Sequence, residues 1–413
     1  MHLSGPISVT GIVNAARSRR KKPDIEWQNE PKPRKYLTHG NKVTPFFDGK
    51  EMFSAARTMV ESAQSLIQVE MYQFTDKEMA SLLVREAEKG VKVQVILDPN
   101  QTQYDPDAQE IVESLKDGGV EVCFYPVNRS RGLIDHMKLL IVDGKQVLIG
   151  GTNWGERSHG NHDANLKVEG PLANYCEKVF QNGWRVSGGE EFDSPRKATM
   201  QPDGTAAIRA GMTELFRIKQ IKDLALEAIA EARKSIYLEM FCLSDKKVIQ
   251  ALIEAHNRGV DVRVLLAPNG VQKEEGRTSW NPNGQTFETL REAGVPVKWY
   301  DVDRTTDQKL HAKWGVFDGD KVILGSANWT FKGFYINRET SVDVRDEKTG
   351  SLFQSHFEEC WRNHSLDKLP EAPLPSGEES GGAPPPERTP LFISQDLEPV
   401  KSLQELSASE KQP

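Results

Sequence analysis

The stretch HMKLLIVDGKQVLIGGTNW (136–154) returns as HAKWGVFDGDKVILGSANW (311–329). Each copy reads as a histidine, a lysine two residues on, an apolar run, Asp-Gly, a second apolar run and Gly-x-x-Asn-Trp. Outward from this pair the match continues in the same order. SLIQVEMYQFTD (65–76) returns as SIYLEMFCLSD (235–245), and GVKVQVILDPN (90–100) as GVDVRVLLAPN (259–269). GGVEVCFYPV (118–127) is echoed by AGVPVKWYDV (293–302), and VFQNGWR (179–185) by HFEECWR (356–362). The offset is 169 residues at Glu70/Glu239 and 175 at His136/His311, so one short insertion separates two copies of a single unit.

Apolar residues recur at helical spacing over 51–63, 77–89, 219–232 and 246–257. Short β-branched runs lie between and after them: LIQVEMY, VKVQVIL, VEVCFY, KLLIVD and QVLIGG, then SIYLEMF, VDVRVLLA, VPVKWY, WGVFD and KVILGS. Helices alternating with buried strands predict α/β halves, each a layered sandwich around a mixed, largely parallel sheet. The expected organisation is a basic arm over 1–42, a first half over 43–187, a linker over 188–205, a second half over 206–366 and a tail over 367–413. The linker is punctuated by Gly188, Gly189, Pro195, Pro202 and Gly204. The tail is acidic and Pro/Ser/Glu-rich, a composition that does not build a core; LFISQDL (391–397) within it is either a docking peptide or idle.

Hydrophobic residues make up 37% and charged residues 27% of the 413, as in a water-soluble globular protein. The net charge of −7 weighs against a dedicated nucleic-acid binder. Basic residues nevertheless gather at Arg17, Arg19, Arg20, Lys21 and Lys22, with Lys32, Arg34 and Lys35 close behind. Cys123, Cys176, Cys242 and Cys360 are scattered without CxxC spacing, so they are expected to be buried free thiols, with neither disulfide nor structural metal. No run approaches the roughly 20 apolar residues of a membrane span. The basic cluster follows the early apolar letters, the reverse of a secretory signal. A cytoplasmic protein is expected, with peripheral membrane contact left open.

The chemistry sits in His136, Lys138 and Asp143, and in His311, Lys313 and Asp318. Each set is followed by Gly-x-x-Asn (Gly150 and Asn153; Gly325 and Asn328) and then by Asn-x-acid (Asn161 and Asp163; Asn337 and Glu339). Strand residues two apart share a face, so each histidine projects with its lysine. Two such copies in register resemble the phospholipase D superfamily, whose signature is a pair of His-Lys-Asp motifs with Gly-Ser-x-Asn downstream. The resemblance spans about residues 43–364. It implies two tandem α/β sandwich halves with mixed β-sheets, related by pseudo-twofold symmetry and meeting at one active site. No cofactor or metal is implied, and no oligomer is needed to complete the site.

In such a site one neutral histidine attacks phosphorus and forms a phosphohistidine, while the other acts as general acid and then base. By the family's pattern attack falls to His136 and acid–base duty to His311. Lys138, Lys313, Asn153, Asn328 and Ser326 are expected to hold phosphoryl oxygens. Asp163 and Glu339 are expected to orient the imidazoles. Asp143 and Asp318, each before a glycine, are expected to stabilise turns. Gly151 departs from the family's serine, with Thr152 as a stand-in hydroxyl, and Asp163 replaces glutamate; NLKVEGP (165–171) beyond it resembles cardiolipin synthases. The second half departs from those enzymes after Asn328. The expected substrate is a phospholipid, with an anionic membrane surface left open as a partner. It is argued from NLKVEGP, the basic arm and an aromatic loop of Trp329, Phe331, Phe334 and Tyr335, although these aromatics read equally well as packed under the loop. The alternative is a nuclease using Arg129, Arg131 and Arg304 against backbone phosphates and aromatics against bases.

Overall fold

The computed structural model describes residues 37–127, 132–190, 197–268, 282–303 and 308–369. The basic residues before 37, Arg129, Arg131, Arg304 and LFISQDL lie outside these ranges.

The first half opens with β1 (Thr38–Asp48), α1 (Gly49–Glu61), β2 (Leu66–Met71), α2 (Lys77–Glu88) and β3 (Lys92–Leu97). It continues through α3 (Pro99–Tyr104), α4 (Pro106–Asp117), β4 (Glu121–Phe124), β5 (Lys138–Val142), β6 (Gln146–Gly150), β7 (His162–Glu169) and α5 (Leu172–Val186). The second half repeats the plan: β8 (Ala206–Glu214), β9 (Ile218–Lys219), α6 (Gln220–Glu231), β10 (Ser235–Met240), α7 (Lys246–Asn257) and β11 (Asp261–Leu266). Then come α8 (Pro282–Glu292), β12 (Val297–Tyr300), β13 (Lys313–Phe317), β14 (Lys321–Gly325), α9 (Phe331–Tyr335), β15 (Glu339–Arg345), α10 (Glu347–Asn363) and β16 (Ser365–Leu366). Aspartates cap several helices: Asp48, Asp76, Asp98, Asp105, Asp245 and Asp346 each accept from backbone N–H groups of the first turn.

The strands form one sheet in the order β16-β12-β11-β10-β13-β14-β15-β8-β1-β7-β6-β5-β2-β3-β4. The two halves therefore run in mirrored order from a central antiparallel β8–β1 pair. Two expectations need correcting. The sheet starts at Thr38, inside the stretch assigned to the basic arm, because β1 pairs with β7 and with β8. The sheet is also mixed but mainly antiparallel. Among the described strands, only the pairs β2–β3, β3–β4, β10–β11 and β11–β12 are parallel. The reason is local: Asp143-Gly144 and Asp318-Gly319 both take left-handed backbone, the conformation that turns a tight hairpin, so β5–β6 and β13–β14 double back.

Burial on both faces explains why the strands read as unbroken apolar runs. Leu140 and Val142 of β5 face a core under α1, α2 and α4. Leu139 and Ile141 face a second core shared by the halves, which includes Val179 and Phe180 of α5 and Phe353 and Phe357 of α10. A third core lies between the second-half strands and α6, α7 and α8.

Asp143 and Asp318 reach further than their own turns. Asp143 accepts from the backbone N–H groups of Gln64, Ser65 and Leu66 and from the Ser65 hydroxyl. Asp318 accepts from the N–H groups of Arg233, Lys234 and Ser235. Each carboxylate thus pins a hairpin to the start of a strand about eighty residues earlier. Those donors hold both carboxyls below the usual aspartate range. Asp143→Asn, which tolerates the left-handed backbone, is expected to cost about 1–3 kcal/mol in urea unfolding at neutral pH. Because the folded pKa is depressed, the difference from wild type is full above the unfolded aspartate pKa of about 3.9 and closes as pH falls through the folded value. An unchanged urea midpoint at neutral pH defeats this account.

Candidate active site

His136 and His311 stand just before β5 and β13, where each chain passes from one half into contact with the other. The His136 N–H donates to Arg338 O at 2.9 Å, and the His311 N–H donates to His162 O at 2.8 Å. Short parallel bridges, Asp135 with Arg338 and Leu310 with His162, flank these bonds. The same exchange governs the side chains. His136 Nδ1 lies 2.9 Å from Glu339 Oε2, and His311 Nδ1 lies 2.7 Å from Asp163 Oδ2. Each imidazole therefore leans on a carboxylate from the opposite half, with the other ring nitrogen left for chemistry. Both carboxylates are fully buried, and the nearby cations keep them below the usual range despite burial.

Lys138 and Lys313 follow on the same strand faces. Each ammonium donates back to the carbonyl of its own histidine. Each also lies over an aromatic ring: Lys138 4.9 Å from the centre of Tyr72, and Lys313 5.1 Å from that of Phe241. Those rings pack against His136 and His311 respectively. Burial lowers both lysines, with mutual repulsion contributing at Lys138, which falls to about 7. Both histidines are lowered as well, by burial first. At His311 the Lys313 charge adds to this and brings it to about 4. The imidazoles are thus neutral at neutral pH while both carboxylates are ionised.

Asn153 and Asn328 each carry a buried side-chain oxygen with no hydrogen-bond partner among the described residues. Ser326 takes a different place from the one expected. Its hydroxyl is wholly buried, donating to Glu339 Oε2 at 2.6 Å and accepting from Thr340 N at 3.1 Å, so it holds the orienting acid rather than facing a ligand. The first half shows why Gly151 cannot copy it. A Cβ on Gly151 would overlap Asp163 Oδ1, because the shorter acid occupies that space. Thr152 does not replace the missing hydroxyl either; its Oγ1 accepts from Asn165 Nδ2 at 2.8 Å. The aromatic loop also divides: Trp329 and Phe334 are packed inside, whereas Phe331 stays exposed.

Sequence reasoning passed over Tyr72, Phe241 and the fully buried pair Arg338–Glu70, whose Nε–Oε1 distance is 2.6 Å. The signal was present. Glu70 and Glu239 recur at matched positions inside otherwise apolar strands, and a buried acid needs a partner.

A duplicated α/β fold that crosses its two histidines onto acids of opposite halves has the architecture of a phospholipase D-like protein. The family model described as "Cardiolipin synthase, PLD-like domain" matches residues 57–184 and 225–361, more than half of the chain, and the chain belongs to that family. It is 27% identical over 334 residues to the cardiolipin synthase of Halalkalibacterium halodurans, covering 75% of this chain and 64% of that protein. It is 25% identical over 365 residues to the cardiolipin synthase of Clostridium perfringens, covering 82% of this chain and 74% of that one. The chain spans under two thirds of the length of the former relative. In fold it is similar to phosphatidylserine synthase of Haemophilus influenzae, with TM-score 0.61 at 14% identity over 78% of this chain and 87% of that one. Polyphosphate kinase of Porphyromonas gingivalis is similar at TM-score 0.53 and 16% identity over 81% of this chain and 53% of that one.

Gly151 and Asp163 are expected to behave as a coupled pair. Gly151→Ser alone should lower Tm through the overlap with Asp163. Adding Asp163→Glu, which copies the Ser326–Glu339 arrangement, should recover most of the loss. Additive effects of the two substitutions in thermal unfolding would show that the positions are independent.

Proposed function

We propose that the chain is a phosphodiesterase or phosphatidyltransferase of phospholipase D type acting on phospholipids through a phosphohistidine. The observation that carries this reading is the crossed pair of Nδ1–carboxylate hydrogen bonds, His136 to Glu339 and His311 to Asp163. Each holds one ring nitrogen protonated and leaves Nε2 as a base or nucleophile. Substrate binding brings one proton onto His311 Nε2. His136 Nε2 then attacks phosphorus, and the bond to the leaving alcohol breaks as His311 gives that proton to the departing oxygen. Water or a second alcohol then attacks, giving its proton to His311, and the N–P bond breaks. Lys138 and Lys313, with the amides of Asn153 and Asn328, stabilise the charge that builds on the phosphoryl oxygens. No step calls on a metal. The choice of lipid is supported by the family description, by cardiolipin synthase relatives and by exposed Phe331, three residues beyond Asn328.

Purified protein offered liposomes of phosphatidylglycerol, cardiolipin or phosphatidylcholine is expected to release phosphatidic acid or to transfer phosphatidyl to an alcohol. His136→Ala is expected to lose at least about 10³-fold in rate, a nucleophile's worth. Quenching in neutral denaturant is expected to trap an adduct on His136 that acid then releases. An adduct on His311 exchanges the two roles, and cleavage of single-stranded DNA or RNA alone overturns the lipid reading.

The lysines add a pH test. Lys138 binds an oxyanion only as the ammonium, and its pKa in the folded protein is about 7. The Tm gain on adding tungstate, doubly charged throughout this range, is therefore expected to be large at pH 6 and to shrink as pH rises past 7. A gain that is flat with pH, or unchanged in Lys138→Ala, removes Lys138 from the phosphate site.

A further inference from the structure

The two halves differ at the residue just before the orienting acid. In the second half this is Arg338, ahead of Glu339; in the first it is His162, ahead of Asp163. Their surroundings correspond position by position. Arg338 sits on Glu70, and its Nη2 donates to Val179 O at 3.1 Å. It runs so close to Gly183 that a Cβ there would come within 2.6 Å of the guanidinium. The matching residues around His162 are Glu239 for Glu70, His356 for Val179 and Cys360 for Gly183. Where the second half buries a guanidinium against an acid, the first has a shorter imidazole ringed by an acid, a second imidazole and a thiol.

We propose that His162, Glu239, His356 and Cys360 hold a divalent ion of the zinc class, which takes the place of the Arg338 charge and clasps the last helix to both halves. Two imidazoles, a thiolate and a carboxylate are a donor set such an ion accepts with four-fold coordination. The ligand atoms all lie within 4.8 Å of one another. His162 Nε2 is 3.4 Å from His356 Nε2, which is 3.6 Å from Cys360 Sγ. Tetrahedral bonds of about 2.0–2.3 Å put ligands about 3.3–3.8 Å apart, so those two edges already have the right length. The His162–Glu239 edge, 2.6 Å, is a hydrogen bond that the ion replaces. Glu239 is fully buried, and its Oε1 has no hydrogen-bond partner among the described residues. That orphan oxygen is a second, independent pointer to a cation. His356 and Cys360 lie one helical turn apart on α10 and so face the same way. His356 is half-buried, which leaves a path for entry. On binding, the ion enters, the thiol proton leaves, and the proton His162 Nε2 shares with Glu239 is released or moves to Nδ1.

The clasp bears on the active site through backbone. His162 N donates to Lys309 O at 2.9 Å, its carbonyl accepts from His311 N, and Asp163 is the next residue. The four ligands are positioning residues; none touches the reacting atoms.

The test needs no substrate, so its outcome is separate from that of the lipid assay. The full chain, purified without chelators, is expected to carry one equivalent of zinc by mass spectrometry. Cobalt is expected to give the visible bands of a tetrahedral site and a thiolate charge-transfer band that Cys360→Ser abolishes. Wild type and Cys360→Ser are expected to share one Tm in chelator, and only wild type gains on adding zinc. Sub-stoichiometric metal with an octahedral cobalt spectrum, or an equal zinc gain in both proteins, overturns the site and leaves a hydrogen-bonded polar cluster.

Discussion

Each imidazole of the candidate site, His136 and His311, is held by an acid that belongs to the other half. This crossing is the constraint from which most of the structure follows. Hydrogen bonds of 2.7–2.9 Å tolerate little sliding, so the halves must be locked together along their whole contact. The lock has several parts: the central β8–β1 pairing, the apolar core shared by α5 and α10, and the bonds from His136 N to Arg338 O and from His311 N to His162 O. Arg338 concentrates the load. It is wholly buried, joins the second-half loop to Glu70 and Val179 of the first half, and lies over the ring of Tyr125. A buried pair of this kind adds little net stability over an apolar pair of equal volume. It does penalise any arrangement in which the partners separate, and that is what a crossed site requires.

Symmetry is obeyed where chemistry needs two equal parts and relaxed where it needs only a filled volume. The imidazoles, ammonium groups, amides and rings of Tyr72 and Phe241 occupy matched positions. The orienting acids do not match in length, and the loss of Ser326's counterpart at Gly151 is the consequence. Glu339 spans the extra distance and shares its oxygens among His136, Ser326 and Asn337. Asp163 fills the equivalent space with its own carboxylate and binds His311 and the Ala164 N–H. Ser326 is therefore part of the support of Glu339, and beside the shorter Asp163 there is no room for its counterpart.

The duplication, the helices and the two acids were legible because each is written in short, contiguous motifs with a copy to check against; that each acid serves the histidine of the opposite half was not. Asp163 and Glu339 stood out because both follow an asparagine at the same spacing. What escaped detection depends on pairing across distance. β1 contains Gly40 and Pro45 and has no apolar alternation, and its strand character comes from partners more than a hundred residues away. The parallel bias was a misreading of the Asp-Gly turns, noticed as turns but not followed into the hairpins they impose. Trp329 and Phe334 read equally well as surface or core, and packing against Leu243 and its neighbours decided it. His162, Glu239, His356 and Cys360 come from three separate segments, which is why the sequence led to the expectation of no structural metal.

The charges in the cleft bear on how a site with two lysines obtains the proton its chemistry needs. Below about pH 7, where Lys138 is protonated, ionised Asp163 and Glu339 balance Lys138 and Lys313, so with neutral imidazoles the four charges cancel. Burial penalises every one of them, and both lysines and both histidines have low proton affinity as a result. A phosphodiester carries one negative charge into that balance. The anion opposes the ammonium charges that depress His311, raises the proton affinity of the nearby bases and favours uptake of one proton. An imidazole bonded to Asp163 is well placed to take it, because the resulting imidazolium faces a carboxylate at 2.7 Å. In the proposed reaction, the acid that expels the leaving alcohol thus forms as the substrate binds. A cleft whose histidines are neutral beforehand suits the first step of the proposed reaction, in which one imidazole stays a nucleophile while the arriving phosphate charges the other.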